Sequence, residues 1–423
     1  MVSPVVGLFF GLLSKSKKII QLSIFLFTFF FGSLLTFEVM GGQKGVNTGS
    51  DGAIHLNKIF DVYQNRDFAW FLKSSGNLLS LDSDAYLEPF PHILGYIFGS
   101  VLGVPGALFW GVGLFYGYFY SRSIVKLLSY VNWSSRLNLI PLYSFLVTLA
   151  LWVSVKDMNT IRTWSGMWVL VYSAVSYFES NKKKYLFLSF FPPLIHVGFF
   201  VMALPVWWVL IFGFKRIKIY FLLFLISTIF SSALQNFGVY DQLGGVSQLA
   251  EAKVESYALD DSKKESLLIE RADDNANFYK GYEKDNIHVN VVSALLVLIF
   301  VFYKRVLLSR IQLFLFSLAL LQGSLANFFN YNFALYNRSW IISGFFALAL
   351  VVIFLSEFNF SNTRVGILKN LFTIISCLLL PFTFLKLSML ANNFSIFLFV
   401  TPFMGWNFFY DSMNLRDAIL LLI

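Results

Sequence analysis

The sequence predicts an all-α, polytopic integral membrane protein, and three observations carry that prediction. Hydrophobic residues make up 57% of the 423-residue chain and charged residues only 13%, with a mean hydropathy of +0.69, more apolar side chain than one soluble core buries. The apolar residues come in runs of roughly twenty, the length that spans a hydrocarbon core as a helix. Basic residues fall in short clusters between those runs, so the net charge of +9 reads as membrane topology and not as a nucleic-acid surface. About 10–12 transmembrane or re-entrant helices are expected, in a single membrane domain over residues 1–423. The lone cysteine, Cys377, sits in an apolar run and has no internal disulfide partner.

In chain order, Lys15, Lys17 and Lys18 precede an uncharged run from Ile19 to Phe37, read as an uncleaved first span with its N-terminus inside. Residues 38–88 form a first outer loop with seven acids against four bases, expected as a solvated stretch carrying a short surface helix. Gly95, Gly99 and Gly103 recur every fourth residue and predict one closely packed helix face. Since Arg122, Lys126 and Arg136 belong inside, Pro91 to Gly103 is read as re-entrant or tilted and Pro105 to Tyr120 as the crossing.

Further spans are expected at Leu139–Val155, Thr163–Phe178, Ile219–Leu234, Val289–Phe302, Leu313–Leu325, Ile341–Leu355, Leu371–Leu390 and Phe394–Phe409. Between Tyr185 and Lys215, Pro192, Pro193 and Pro205 predict broken helices beside a polar cavity. Residues 235–288 form a second outer loop, with eleven acids against six bases. Seventeen bases then lie in short inner loops, against Lys156, Arg162 and Arg338 in short outer ones.

Those few outward bases carry the functional reading. Arg162 and Arg338 are permanently charged, planar donors suited to phosphate oxygens. His196, in L-I-H-V-G, suits either proton uptake near neutral pH or hydrogen-bond donation to an anion. Against these stand plainer roles: an interfacial arginine reaching to lipid phosphate or pairing with a loop acid, and a histidine held structurally after Pro-Pro. Asp82, Asp84 and Glu88 are the densest acids near a membrane entry, read as a solvated loop with a divalent-ion site as the lesser alternative; His55, His92 and His288 lack the spacing of a zinc site, and neither metal nor cofactor is expected.

The order E-P-F at Glu88, I-R at Arg162, a basic turn, I-H-V-G at His196 and L-Y-N-R at Arg338 resembles the EpsG branch of the Wzy-type polysaccharide polymerases. The resemblance runs from Tyr86 to about Leu355. It departs after Arg162, where Thr163, Trp164 and Ser165 replace an expected glutamine and small residues. It implies a GT-C-like fold in a bacterial cytoplasmic membrane with the active face outside. It also implies transfer of a glycan from polyprenyl pyrophosphate to the non-reducing end of a fresh lipid-linked repeat unit.

On that reading Arg162 and Arg338 hold the pyrophosphate, His196 or Glu88 positions or deprotonates the acceptor hydroxyl, and Asp84, Tyr86, Trp164 and Tyr336 are candidate acceptor contacts. The partners implied are the polyprenyl-pyrophosphate-linked oligosaccharide, membrane lipid, and the flippase and chain-length regulator of the same pathway. Another lipid-linked glycosyl or acyl transferase, an O-antigen ligase, or a precursor flippase or transporter are the alternative readings.

Overall fold

A computed structural model describes residues 3–35, 51–78, 85–133, 140–235, 287–306, 308–330, 332–357 and 363–399, with positions 415 and 419. Asp82, Asp84, most of the second polar stretch (236–286) and most of the expected last span lie outside the described residues. The described chain is helical, with no β-strand. It divides into two compact units, one of residues 1–127, 154–200 and 387–423, the other of residues 128–153 and 201–386.

The first unit opens with α1 (Pro4–Leu12) and α2 (Lys17–Ser33). α1 was not expected as a separate element. It begins with Pro4 in the first turn after the Ser3 cap and folds back on α2, where Gly11 meets Ser23 with no room for a side chain. Residues 51–78, expected as a largely solvated loop, instead form α3 (Asp51–Lys58), a wider π-type turn over Ile59–Tyr63, and α4 (Phe68–Gly76). Ile59 and Tyr63 are fully buried, so this stretch has an inner face of its own.

α5 (Pro89–Tyr96) continues into a π-type turn over Ile97–Val101. A Cβ on Gly95 or Gly99 would fall 3.0 Å or 2.8 Å from Tyr63, so the predicted close-packing face is real at these two positions. Gly103 is not part of it. Its φ of +62° and the open space around it make it the glycine of a turn. α6 (Leu108–Leu128) follows. After a 3₁₀ turn over Val155–Asn159, α8 (Thr163–Ser180) is buried at every residue from Thr163 to Ser176, making it the enclosed helix of this unit. The proline-rich stretch breaks as expected, into α9 (Lys183–Leu188), α10 (Pro192–Ile195) and α11 (Phe199–Met202), the last running into the second unit.

The second unit holds α7 (Ile140–Trp152), α12 (Leu204–Phe212), α13 (Ile217–Gln235), α14 (Ile287–Val306), α15 (Arg310–Phe328), α16 (Phe333–Glu357) and most of α17 (Thr363–Asn393). Its enclosed helix is α16. The Trp152 indole N–H donates to the Ile341 carbonyl at 2.7 Å across Gly344, and Ser343 donates to the Ala319 carbonyl at 2.8 Å. The Asn327 amide reaches Ser227 and Thr228 at 3.2 and 2.9 Å. Interhelical bonds of this type hold helices together where an apolar surround removes the hydrophobic drive.

Among the described residues, four stretches are long and apolar enough to cross a membrane: Ile140–Asn159, Arg310–Phe328, Ala334–Glu357 and Asn370–Asn393. Phe199–Phe212, Ile217–Ser231 and Ile287–Phe302 are shorter apolar helices. The chain is therefore a helical, membrane-embedded protein. α2, α6 and α8, also expected as spans, are shorter or carry more polar residues than those four.

Candidate active site

Glu88, Arg162 and His196, separated by up to 108 residues, meet at one point of the first unit. Each is delivered by a break between helices. Glu88 is the N-cap of α5, held extended (φ −102°, ψ 142°) by the proline that follows it. Its side chain does not cap that helix and turns to Arg162 and His196 instead. Arg162 is the N-cap of α8 and follows the 3₁₀ segment anchored by Asp157. That anchor is the Ser154 N–H donating to Asp157 at 2.7 Å and the Lys156 ammonium at 2.6 Å, while Tyr116 donates to the Ser154 carbonyl at 2.7 Å.

His196 ends the single turn of α10, with an extended backbone (φ −151°, ψ 123°) after Pro192 and Pro193. Phe199, fully buried one turn later, seats its ring against Gly166 of α8, where a Cβ would fall 2.5 Å from it. This contact sets the histidine turn against the arginine helix.

Arg162 Nη1 donates to both oxygens of Glu88, at 3.1 and 3.0 Å, and His196 Nδ1 lies 3.1 Å from Glu88 Oε1. The carboxylate is 1% exposed, whereas the Arg162 side chain is 27% exposed. An anion buried this deeply needs compensating partners, and Arg162 and His196 are among them. Among the described residues, Nε and Nη2 of Arg162 have no protein partner, so one edge of the guanidinium is spent on Glu88 and the rest is available to a ligand.

The other expected residues divide. Tyr86, two positions before Glu88, is buried and its hydroxyl bonds His55, so it is engaged within the protein. Trp164 is buried in the first turn of α8. Arg338 and Tyr336 are half-buried on α16 of the second unit. Asp84 lies outside the described residues.

Sequence reading missed His55, whose ring feels the charges of Arg162, Glu88 and His196. The signal was present: Gly52, His55, Leu56, Ile59 and Tyr63 repeat at helical spacing, which places the histidine on a buried face. Burial first, then the Arg162 guanidinium, push its pKa down from 6.5 to about 3.

His92, by contrast, is built into the frame. Tyr86 N–H donates to the Tyr63 hydroxyl at 2.8 Å, and Tyr63 and Ser75 flank the two ring nitrogens of His92 at 2.9 and 3.1 Å. Comparison of the chain with family models, with curated proteins and with solved structures returns no match.

Proposed function

We propose that the protein is a glycosyltransferase that polymerises lipid-linked oligosaccharide repeat units at the outer face of the cytoplasmic membrane. The observation that carries the reading is the buried Glu88 carboxylate gripping both Arg162 and His196. Three of the residues singled out by the resemblance in sequence, Glu88, Arg162 and His196, lie far apart in the chain and make one cluster of the kind this chemistry requires.

In the reaction, the acceptor hydroxyl oxygen attacks the anomeric carbon of the donor glycan. The bond from that carbon to polyprenyl pyrophosphate breaks, and the hydroxyl proton leaves. His196 is assigned as the base for that proton, with its Nδ1 turned to Glu88 at 3.1 Å so that the carboxylate orients the ring. The free donors of Arg162 compensate the charge growing on the departing pyrophosphate, an effect strengthened by partial burial. Glu88 itself, 1% exposed and bound on both sides, acts as the positioning group and not as the base. Arg338, the other expected phosphate ligand, is on the second unit, and the scheme rests on Arg162 alone.

The test is a surface-polysaccharide gel from cells lacking the protein, complemented with wild type, Arg162→Ala or His196→Ala at matched membrane levels. Wild type restores a ladder, and each variant leaves single repeat units on the acceptor lipid, with polymer reduced about 10²-fold or more. A ladder that survives deletion, or precursors trapped on the cytoplasmic side, favours a side-branch transferase or a flippase instead.

A further inference from the structure

α3 is tied to both limbs of the cluster. Its Gly52 N–H donates to Asn159 Oδ1 at 2.9 Å, three residues ahead of Arg162. Its Lys58 ammonium donates to the Ala85 carbonyl at 3.2 Å, and the His55 ring meets Tyr86 two residues ahead of Glu88. These bonds hold α3, and with it His55, against the segments that carry Arg162 and Glu88.

The contacts of Tyr86 favour one tautomer of the ring. The phenol oxygen lies 2.9 Å from His55 Nδ1 and 3.2 Å from the His55 carbonyl oxygen. A phenol has one proton to give. Both contacts are satisfied when the O–H donates to the carbonyl and Nδ1–H donates to the phenol oxygen. Nε2 then holds a lone pair, and among the described residues it has no protein partner.

Burial and the nearby guanidinium keep this imidazole neutral. So weak a base does not take a proton from a hydroxyl near neutral pH, but it accepts a hydrogen bond from one. A lone pair also repels phosphate oxygens, which separates its ligand from that of Arg162.

We propose that His55 Nε2 accepts a hydrogen bond from a hydroxyl of the incoming acceptor sugar, with Tyr86 as the residue that positions the ring. The proposal rests on the polymerase reading and assigns that site its acceptor wall: Arg162 takes the pyrophosphate, His196 the proton, and His55 the acceptor hydroxyl.

The test uses full-length protein in lipid nanodiscs, with extracted lipid-linked repeat units as donor. The acceptor is the repeat-unit oligosaccharide freed from its lipid by mild acid, which has no pyrophosphate and can only accept. Release of polyprenyl pyrophosphate is followed against acceptor concentration.

His55→Ala raises the half-saturating acceptor concentration roughly three- to tenfold, the loss of one neutral hydrogen bond, with a smaller change in turnover. His55→Gln, whose amide oxygen replaces the lone pair, recovers most of that loss, and Tyr86→Phe falls between them. A fall in turnover at unchanged half-saturation, no change at all, or His55→Gln as impaired as His55→Ala overturns the proposal. If His55→Ala does not accumulate, His55→Gln and Tyr86→Phe decide it on the same readout: both must raise half-saturation, the second more than the first. If wild type itself extends no acceptor, the polymerase reading fails first.

Discussion

At the residue scale the site turns on one carboxylate. Glu88 is buried with a guanidinium and an imidazole on its oxygens, so replacing it by glutamine removes the negative charge while keeping the shape. Glu88→Gln is expected to cost about 1–3 kcal/mol of stability, less than for a fully sealed pair because Arg162 is part-exposed, and to lower polymer yield at least tenfold. Thermal unfolding in detergent beside a ladder gel checks both; a variant that matches wild type in each contradicts the assigned role.

His55 gives a pH prediction with a definite sign. Its folded pKa is depressed to about 3 from 6.5, so between those values the unfolded chain binds the extra proton. The stability due to its neutral burial is present above pH 6.5 and is lost as pH falls towards 3. His55→Gln is expected to flatten this dependence. Denaturation midpoints of the two proteins at pH 7, 5.5 and 4 test it, and parallel curves count against it.

The sequence made Glu88, Arg162 and His196 visible as chemical types, since ionisable groups are scarce in an apolar chain. It could not show that the carboxylate reaches both partners, because separations of 74 and 108 residues leave no local trace. Arg338 had the same credentials as Arg162 and lies on the other unit.

At the element scale, the site depends on helix ends being held by small residues. Gly166 admits the buried ring of Phe199, which fixes the turn carrying His196. Gly166→Ala drives a methyl into that ring and is expected to destabilise by about 1–3 kcal/mol. It is also expected to lower activity with Arg162 and His196 both present, whereas Gly76→Ala, at an exposed helix end with open space, leaves both unchanged. Unfolding midpoints and ladder length in the two variants separate packing from chemistry.

Elements were legible in sequence where apolar runs are bounded by charge, as in α13 to α16, and where prolines fix breaks, as in α9 to α12. α1 was not, because its apolar run carries no charge to set it off from a simple leader to the first lysine cluster. Residues 51–78 misled through their polar composition. Their buried face comprises only a few residues, Ala53, Leu56, Ile59 and Tyr63 among them, spread through a polar stretch.

For the whole molecule, each of the two units holds a deeply buried helix, α8 in the first and α16 in the second, and the long apolar helices α15 and α16 lie wholly in the second. The proposed orientation places residues 51–78 outside and Lys182 to Lys184 inside. With Cys377 first replaced by alanine, a cysteine at the exposed Asn57 is expected to react with an impermeant maleimide in intact spheroplasts, and one at the exposed Lys183 only after lysis. The reverse pattern would turn the site towards the cytoplasm and remove polymerisation at the outer face.

The most direct measurement is reconstitution. Purified full-length protein in nanodiscs receives extracted lipid-linked repeat units and no other protein or energy source, and the products are resolved by length. The account predicts that wild type builds a ladder and releases polyprenyl pyrophosphate, and that Arg162→Ala and His196→Ala, equally folded, do neither. Folded wild type that leaves the repeat units unjoined, or either variant building the same ladder, would contradict it.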